Sequence, residues 1–485
     1  MDSTEAKKKA TSSVAWTMIE RFACLGISFI SDIILARLLM PEDYGAIGML
    51  AIFMTVAQQF LDGGLGTALV QKKTPTQIDY STVFYWNLAL SVLLYFILFF
   101  AAPFIASFYK MPVLCPVLRV QALILIISAL TIVQSNQLVK HFCFKKISIV
   151  QISSSLLALV ITVVLAYKGF GVWALVVHNL TIAVVPSVIY WITNKWKPSL
   201  VFSWSSFKEL FSFGVFVFLS NILTNISNNV QGLLIGRFFN ATTMGYYSKA
   251  NSTSNLASHT ISQTLSKVTF PLYASMQDNK EELISTIRRL TTLVAYLTYP
   301  LMFILILLAK PIILLLYTEK WSPCVPYFQI LCVAGLAICL QALNKLAVTA
   351  VGKSKANFNM TVVKSVLCLS LISLGFYVYG ITGLLIGMVI YAWVAYIINA
   401  SLVSKYIGLK LMRQLADMAP ILILTLVAFI SAMCMSFLHI SNMYVDGIIK
   451  LIVFVIVYLT GTFVLRMPYL KQVQQLAKQY LSKKK

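Results

Sequence analysis

The sequence predicts an all-α membrane protein with fourteen transmembrane helices, arranged as two pseudo-symmetric six-helix lobes followed by two C-terminal helices. Three observations support this prediction: a very apolar composition, a regular series of long apolar segments, and an internal repeat. Hydrophobic residues make up 59% of the 485 positions and charged residues only 11%, whereas about a quarter of the residues in soluble domains are charged. The chain is therefore expected to fold in a bilayer.

The apolar segments have the length of membrane-spanning helices. A helix needs roughly 20 apolar residues to cross the hydrocarbon core. The segments lie at 13–37, 44–71, 82–106, 116–138, 147–167, 169–193, 209–235, 241–273, 287–308, 326–350, 356–379, 381–405, 417–438 and 446–466. The connections between them are too short to hold a soluble domain.

An internal repeat relates the two halves of the chain. Arg37 and Gly45 recur as Arg237 and Gly245, 200 positions later. Further matches are Pro103–Tyr109 with Pro311–Tyr317, Pro116 with Pro326, and Asn136 with Asn344. The predicted domains are therefore an N-lobe at 1–200, a C-lobe at 201–410, and an appended helix pair with a basic tail at 411–485. Duplicated bundles of this kind are typical of transporters that alternate their access between the two sides of a membrane.

The net charge of +23 is spread over alternate loops and does not form one patch, which argues against nucleic acid as a partner. Loops on one predicted side are rich in lysine, as at 7–9, 145–146 and 195–197, whereas the other side holds few basic residues. Basic residues are enriched in cytoplasmic loops. Both termini are therefore expected in the cytoplasm, which agrees with an even number of spans.

Polar and ionisable side chains follow single faces of spans one, two, seven and eight. In span one, Arg21 and Asp32 lie in a narrow sector of the helix. The candidate cavity residues are Glu20, Arg21, Asp32, Asp62, Asn221, Asn225, Asn228, Lys249, His259, Gln263 and Lys267. A charge near the bilayer centre costs at least ~2.5 to 3.5 kcal/mol, so these groups must face water or a partner. Hydrogen bonds between helices are the alternative for any single amide or hydroxyl group.

The intramembrane cations favour an anionic cargo. Arginine and lysine both bind phosphate oxygens, and Arg21, Lys249, Lys267 and Lys345 are the candidate ligands for such a group. The acidic residues Glu20, Asp32 and Asp62 either pair with these bases or take part in proton or sodium coupling, and the sequence leaves both options open. No cofactor and no metal site are expected. A Na+ or H+ gradient, or the gradient of the cargo itself, is expected to drive transport.

Two segments, Leu35–Gly45 and Asp62–Gln71, resemble the opening of bacterial polysaccharide flippases. These proteins belong to the multidrug, oligosaccharidyl-lipid and polysaccharide exporter superfamily, and the resemblance is to its lipopolysaccharide and exopolysaccharide branch. It implies two six-helix lobes around a central cavity, two trailing helices, and a location in the bacterial cytoplasmic membrane. It also implies that an undecaprenyl-pyrophosphate-linked oligosaccharide repeat unit moves from the cytoplasmic to the periplasmic leaflet.

The resemblance assigns pyrophosphate binding to the cavity cations Arg21, Lys249 and Lys267. The implied partners are the lipid-linked oligosaccharide, membrane lipids and the polysaccharide polymerase machinery. Two alternatives come from the same superfamily: a drug or cation extruder and a peptidoglycan-precursor flippase. A membrane enzyme, such as a sugar polymerase or acyltransferase, is disfavoured because the loops are short and poor in His, Asp and Glu.

Overall fold

The computed structural model describes residues 3–72, 74–438, 440–465 and 467. Long helices joined by short loops make up this part of the chain. The helices are α1 (Ser3–Leu38), α2 (Pro41–Asp62), α3 (Leu65–Gln71), α4 (Gln77–Phe108), α5 (Leu114–Gln121), α6 (Leu123–Lys140), α7 (Phe144–Tyr167), α8 (Val172–Thr193), α9 (Trp204–Phe238), α10 (Ala241–Ser275), α11 (Lys280–Leu307), α12 (Ala309–Tyr317), α13 (Cys324–Ala350), α14 (Ser354–Tyr406), α15 (Leu411–Cys434) and α16 (Met443–Val464). Short 3₁₀ turns follow α12 and α15.

The chain divides into two compact units, Met1–Ser248 and Lys249–Lys485. In the first unit, α1 packs on α7, α4 on α6, and α2 on α9; in the second, α13 packs on α11 and α14, and α15 on α16. Because the division falls inside α10, α9 belongs to the first compact unit although it opens the second sequence repeat. The repeat-based limits at 1–200, 201–410 and 411–485 stay a prediction.

The membrane-spanning character of the fold is confirmed. Among the described residues, ten helices are long and apolar enough to cross a membrane. The helices α1, α9 and α10 are just as long but are not among the ten, because polar residues interrupt their apolar sequence. With these three included, and with α14 counted as two crossings, the helices are consistent with the fourteen predicted spans.

Helix α14 is a hairpin of two membrane-spanning arms. Its regular backbone is interrupted at Tyr379 and Gly380, and Gly380 has φ 60° and ψ −135°, a conformation that side chains disfavour. The two arms, one on each side of this break, pack so closely that a Cβ atom at Gly375 would lie 2.2 Å from the carbonyl oxygen of Gly383. The predicted spans 356–379 and 381–405 correspond to these two arms.

The predicted second span, 44–71, is not one continuous helix. The helix α2 ends at Asp62, and Gly63 and Gly64 follow with φ values of 48° and 74°. Two successive left-handed residues cannot continue a right-handed helix. The chain therefore turns before α3, and the apolar composition of 65–71 concealed this turn in the sequence.

Charged contacts fix the segment that follows α3. The Lys72 Nζ lies 3.2 Å from a carboxylate oxygen of the buried Asp79 and 3.0 Å from that of Glu209 on α9. The hydrogen bond to Glu209 is the main reason that the pKa of Lys72 is raised, so Lys72 stays protonated at neutral pH. The Lys140 ammonium donates to the carbonyl groups of Leu69 and Val70 at the end of α3.

The trailing helices are tied to the second unit by an ion pair. The Arg288 guanidinium on α11 donates two hydrogen bonds of 2.6 Å to the carboxylate of Asp417 on α15. The two-pronged geometry suits arginine and carboxylate groups. The appended pair α15 and α16 is thus held against α11 by charge as well as by apolar contact.

Candidate functional site

The two repeats contact each other through a pair of equivalent glycines. A Cβ atom at Gly45 on α2 would lie 1.7 Å from the carbonyl oxygen of Ala241, and one at Gly245 on α10 would lie 1.8 Å from that of Pro41. Pro41 and Ala241 are the first residues of α2 and α10. The N-terminal turns of α2 and α10 therefore cross in reciprocal contact, which only residues without a side chain allow.

Capping hydrogen bonds fix the first residues of both α2 and α10. The Asp43 carboxylate accepts a hydrogen bond of 2.9 Å from the backbone N–H of Met40, and Pro41 occupies the first turn of α2, where its missing N–H has no cost. In the second repeat, the Asn240 side chain accepts a hydrogen bond of 2.8 Å from the backbone N–H of Thr243. The two helices thus begin at equivalent residues, but the capping side chain is the third residue of the helix in the first repeat and the residue before the helix in the second.

Further glycines of α2 and α9 also lie in close contact. A Cβ at Gly232 would lie 3.2 Å from the carbonyl oxygen of Gly48, and one at Gly236 would lie 2.6 Å from the ring of Tyr109. The hydroxyl of Tyr109 donates a hydrogen bond of 3.2 Å to the carbonyl oxygen of Met49. The glycines 45, 48, 232, 236 and 245 are called the glycine seam below.

A polar face continues along α9 beyond the seam. The Asn225 side chain donates a hydrogen bond of 2.9 Å to the Gln59 side chain on α2, so two predicted polar faces meet at this point. Asn221 and Asn228 are exposed, as are Ser28 on α1 and Gln58 on α2. Exposed amides within helices of membrane-spanning length need water around them, because the hydrocarbon core offers no hydrogen-bond partners.

Three charged residues of α1, namely Glu20, Arg21 and Asp32, are half-buried. Glu20 accepts a hydrogen bond of 3.1 Å from the Ser148 hydroxyl on α7, so its carboxylate is held toward the neighbouring helix. Arg21 and Asp32 are also half-buried on α1, and both have interaction partners. The structure thus places Glu20 in a contact between helices, and it leaves Arg21 and Asp32 partly accessible.

Lys249 lies in an aromatic enclosure of the second unit. Its side chain is 1% exposed, and its Nζ lies 4.5 Å from the ring centroid of Tyr317 and 5.3 Å from that of Trp321. At the same place in the first repeat, 200 positions earlier, stands Met49, which is equally buried. Lys249 therefore fills a core position, and an ammonium group over two ring faces is stabilised by cation–π attraction.

The remaining predicted ligands are distributed as follows. Lys345 is exposed on α13, in the second unit. The side chains of Asp62, His259, Gln263 and Lys267 lie outside the described part of the structure. The roles of all these residues stay predictions.

A cavity of about 250 Å³ lies in the first unit, between α2, α4 and α9. Its walls are formed by apolar side chains, among them Phe53, Phe60, Leu94 and Leu233. None of the predicted polar residues lines it. A cavity with such walls suits a hydrocarbon chain and excludes a charged head group.

Sequence reasoning missed the glycine seam as a structural element. The recurrence of Gly45 and Gly245 marked the repeat, but a repeat by itself does not show that its two copies touch. The five glycines at 45, 48, 232, 236 and 245 were the available signal, since small residues are enriched where membrane helices approach closely.

The comparison with known families agrees with this architecture. A sequence model of the family described as polysaccharide biosynthesis protein matches residues 34–326. The chain is 27% identical over 353 residues to the teichuronic acid biosynthesis protein TuaB of Bacillus subtilis (strain 168), with 72% of this chain and 73% of the relative covered. It is 22% identical over 394 residues to the lipopolysaccharide biosynthesis protein WzxC of Escherichia coli (strain K12), with 79% and 78% covered.

Solved structures show the same fold. A structure of the lipid II flippase MurJ in an inward closed conformation superimposes with a TM-score of 0.75 at 15% identity, covering 93% of this chain and 98% of that chain. An inward-facing multidrug resistance transporter of the MATE family gives a TM-score of 0.64 at 16% identity, covering 84% and 98%. At these identities the similarity establishes the fold and nothing finer.

Proposed function

The chain belongs to the polysaccharide biosynthesis protein family and is a flippase-type membrane transporter of the exporter superfamily named above, and from this premise we propose its cargo and mechanism. The proposed cargo is an undecaprenyl-pyrophosphate-linked oligosaccharide repeat unit. The proposed mechanism is alternating access, with transfer from the cytoplasmic to the periplasmic leaflet and both termini in the cytoplasm.

The observation that carries the proposal is the polarity of α1 and α9. These helices are long enough to span a membrane but too polar to qualify as apolar spans. They present the exposed amides Asn221 and Asn228 and the half-buried Arg21 and Asp32. A hydrophilic sugar head group needs such a surface, whereas a purely apolar cargo does not.

Arg21 is the residue best placed to contact the pyrophosphate. It is partly accessible on the polar helix α1, and a guanidinium group matches the geometry of phosphate oxygens. Lys267 keeps its predicted role. Lys249 could reach a head group only if Tyr317 and Trp321 moved away from its ammonium group.

The proposal is tested with purified protein in proteoliposomes that contain a fluorescent undecaprenyl-pyrophosphoryl oligosaccharide. We expect Arg21→Gln to lower the rate of transfer at least tenfold, because the pyrophosphate loses a charged ligand. Arg119→Gln is the matched control, since Arg119 lies on α5 and its guanidinium packs over the ring of Phe99, 4.2 Å from the ring centroid. Equal rates for wild type and Arg21→Gln would refute the assigned role.

The second candidate is a drug or cation extruder, which the half-buried carboxylate of Asp32 on α1 favours. A drug-resistance assay in a sensitive host separates the candidates. Resistance that disappears in Asp32→Asn would support extrusion and contradict the proposed cargo.

A peptidoglycan-precursor flippase shares the fold and the need for a polar surface. Competition in the proteoliposome assay decides between the two lipid-linked cargoes. We expect unlabelled lipid II to compete less well than an unlabelled lipid-linked oligosaccharide. The Na+ or H+ dependence of the transfer rate tests the predicted coupling.

A further inference from the structure

A proline interrupts the helical hydrogen bonding at equivalent points of the two repeats. Pro103 lies inside α4, and its counterpart Pro311 lies in the first turn of α12, just after the break between α11 and α12. Because proline has no N–H, Pro103 leaves the carbonyl group of Phe99 without its regular helical partner. The segments that start at these prolines, 103–109 and 311–317, are called the first and the second tip below.

In the first unit, a side chain from the next helix binds the carbonyl group that the proline leaves open. The Nε of Arg119 on α5 donates a hydrogen bond of 3.3 Å to the carbonyl oxygen of Phe99. The guanidinium carbon of Arg119 also lies 4.2 Å from the ring centroid of Phe99. Arg119 therefore holds both the backbone and the ring of Phe99, at the point where Pro103 removes a helical hydrogen bond.

The second unit contains an equivalent contact. Pro116 recurs as Pro326, 210 positions later (326 minus 116), and at the same offset Gln329 on α13 stands in place of Arg119. The Nε2 of Gln329 donates a hydrogen bond of 3.2 Å to the carbonyl oxygen of Ile306, in the last turn of α11. Carbonyl groups in the last turn of a helix lack regular helical partners. In both units, a residue at the same position of the repeat thus binds an open carbonyl group just ahead of the proline.

The two contacts use donor atoms at the same place in the side chain. The Nε of arginine and the Nε2 of glutamine are both attached to Cδ, and both carry an N–H donor. Methionine reaches equally far but ends in a methyl group, which donates no hydrogen bond. Arg119→Gln therefore keeps the donor for the Phe99 carbonyl group, whereas Arg119→Met removes it with little change in side-chain length.

Each tip ends in a buried tyrosine that packs against the same position of the repeat. At the end of the first tip, the hydroxyl group of Tyr109 donates a hydrogen bond of 3.2 Å to the carbonyl oxygen of Met49. At the end of the second tip, the ring of Tyr317 covers the ammonium group of Lys249, which is the counterpart of Met49. The direction in which a tip leaves its proline therefore decides where the tyrosine packs.

We propose that Arg119 and Gln329 are positioning residues of the transport cycle. Each holds the backbone ahead of a proline, where the helix has lost a hydrogen bond, and so directs the tip that packs its tyrosine against residue 49 or 249. In the first unit this tyrosine also contacts the glycine seam, since a Cβ at Gly236 would lie 2.6 Å from its ring. The role rests on the proposed alternating access, in which the contact between the repeats has to hold while access changes.

Hydrogen–deuterium exchange of the full-length purified protein in detergent tests the two contacts without any cargo. We expect Arg119→Met to raise the exchange rate of the backbone amides at 104–109 about fivefold, the factor that corresponds to the net loss of one hydrogen bond. Arg119→Gln should exchange as the wild type does. Gln329→Met should raise the exchange rate at 312–317 and leave 104–109 unchanged.

Transfer in proteoliposomes, normalised to the amount of folded protein, tests the positioning role. We expect Arg119→Met to lower the transfer rate about fivefold and Arg119→Gln to retain it. Tyr109→Phe, which removes the hydroxyl group that binds Met49, should also lower the rate. The double variant Arg119→Met/Tyr109→Phe should be little slower than the slower single variant, because both changes act on the packing of the same tyrosine.

The positioning role is overturned if Arg119→Met leaves the exchange at 104–109 unchanged, or if the two single effects on transfer multiply in the double variant. Equal losses of transfer in Arg119→Met and Arg119→Gln would also overturn it, because the charge and not the donor would then matter. If the wild type transfers no lipid-linked oligosaccharide while Arg119→Met still raises the exchange at 104–109, the proposed cargo is wrong and the positioning of the first tip stands.

Discussion

Gly45 and Gly245 occupy equivalent positions in the two repeats, and each lies directly against the first residue of the helix that carries the other. The distances from a hypothetical Cβ to the opposing carbonyl oxygens are 1.7 and 1.8 Å, so the two contacts are nearly identical. The repeat therefore creates a local two-fold contact between α2 and α10. The absence of a side chain at both positions lets their backbones touch.

A methyl group at either position should force the helices apart. We expect Gly45→Ala and Gly245→Ala each to lower the free energy of unfolding by about 1–3 kcal/mol, the usual cost of overpacking, and to impair transfer. Unfolding midpoints and proteoliposome transfer rates measure both effects.

Gly26→Ala is the control for these variants, because a Cβ at Gly26 on α1 would meet no atom within 4 Å. It should fold and function as the wild type does. If Gly45→Ala behaved like Gly26→Ala, the close contact described here would not form in the working protein.

The repeat also supplies a test for Lys249. Since Met49 fills the equivalent core position, Lys249→Met should fold with an unfolding midpoint close to that of the wild type. Lys249→Ala should be destabilised by about 2–4 kcal/mol, because it leaves a cavity and removes the cation–π contacts with Tyr317 and Trp321.

Transfer by Lys249→Met distinguishes a structural role from a binding role. We expect it to stay within about threefold of the wild-type rate, since the ammonium group is covered. A fully stable Lys249→Met protein with no transfer would instead show that the charge contacts the cargo during the cycle.

The ion pair between Arg288 and Asp417 should stabilise the attachment of α15. The side chains are 34% and 19% exposed, so breaking the pair should cost about 1–3 kcal/mol, less than for a fully buried pair. We expect Arg288→Gln and Asp417→Asn to lower the unfolding midpoint. The double variant should be less destabilised than the sum of the single variants; additive effects would show that the pair contributes nothing.

The two acidic partners of Lys72 should differ strongly. The Glu209 side chain is 64% exposed, and Glu209→Gln should change the free energy of unfolding by less than about 0.5 kcal/mol. Asp79 is buried and also accepts hydrogen bonds from the backbone N–H and hydroxyl of Thr76 at the start of α4.

Asp79→Ala should therefore cost about 1–3 kcal/mol, since it leaves buried donors unsatisfied. Thermal unfolding of both variants in the same detergent provides the comparison. Equal midpoints would contradict the capping role of Asp79.

The helical fold follows from features that the sequence displays directly. Apolar length predicts a crossing because the bilayer has a fixed thickness, and the arms of α14 were separated correctly at Gly380. The break at Gly63 and Gly64 was missed because glycine is also common inside membrane helices. Whether a glycine adopts a left-handed backbone conformation depends on its tertiary contacts, which the composition of a segment does not reveal.

The candidate site was less predictable for a related reason. Periodicity shows which residues share a face, and the contact between Asn225 and Gln59 agrees with it. Periodicity does not show which side chains of other helices pack against that face. Lys249 was grouped with the polar residues of its helix, yet it is enclosed by Tyr317 and Trp321, which come from a segment about 70 positions further along the chain.

The glycine seam places the same demand on both halves of the chain. A Cβ at residue 45 or 245 would meet the backbone of residue 241 or 41, which every amino acid has, so no side-chain change in the opposite copy could make room for it. Chimaeric proteins that combine the first half of this chain with the second half of a relative should therefore assemble only when the relative carries glycine at the position equivalent to 245.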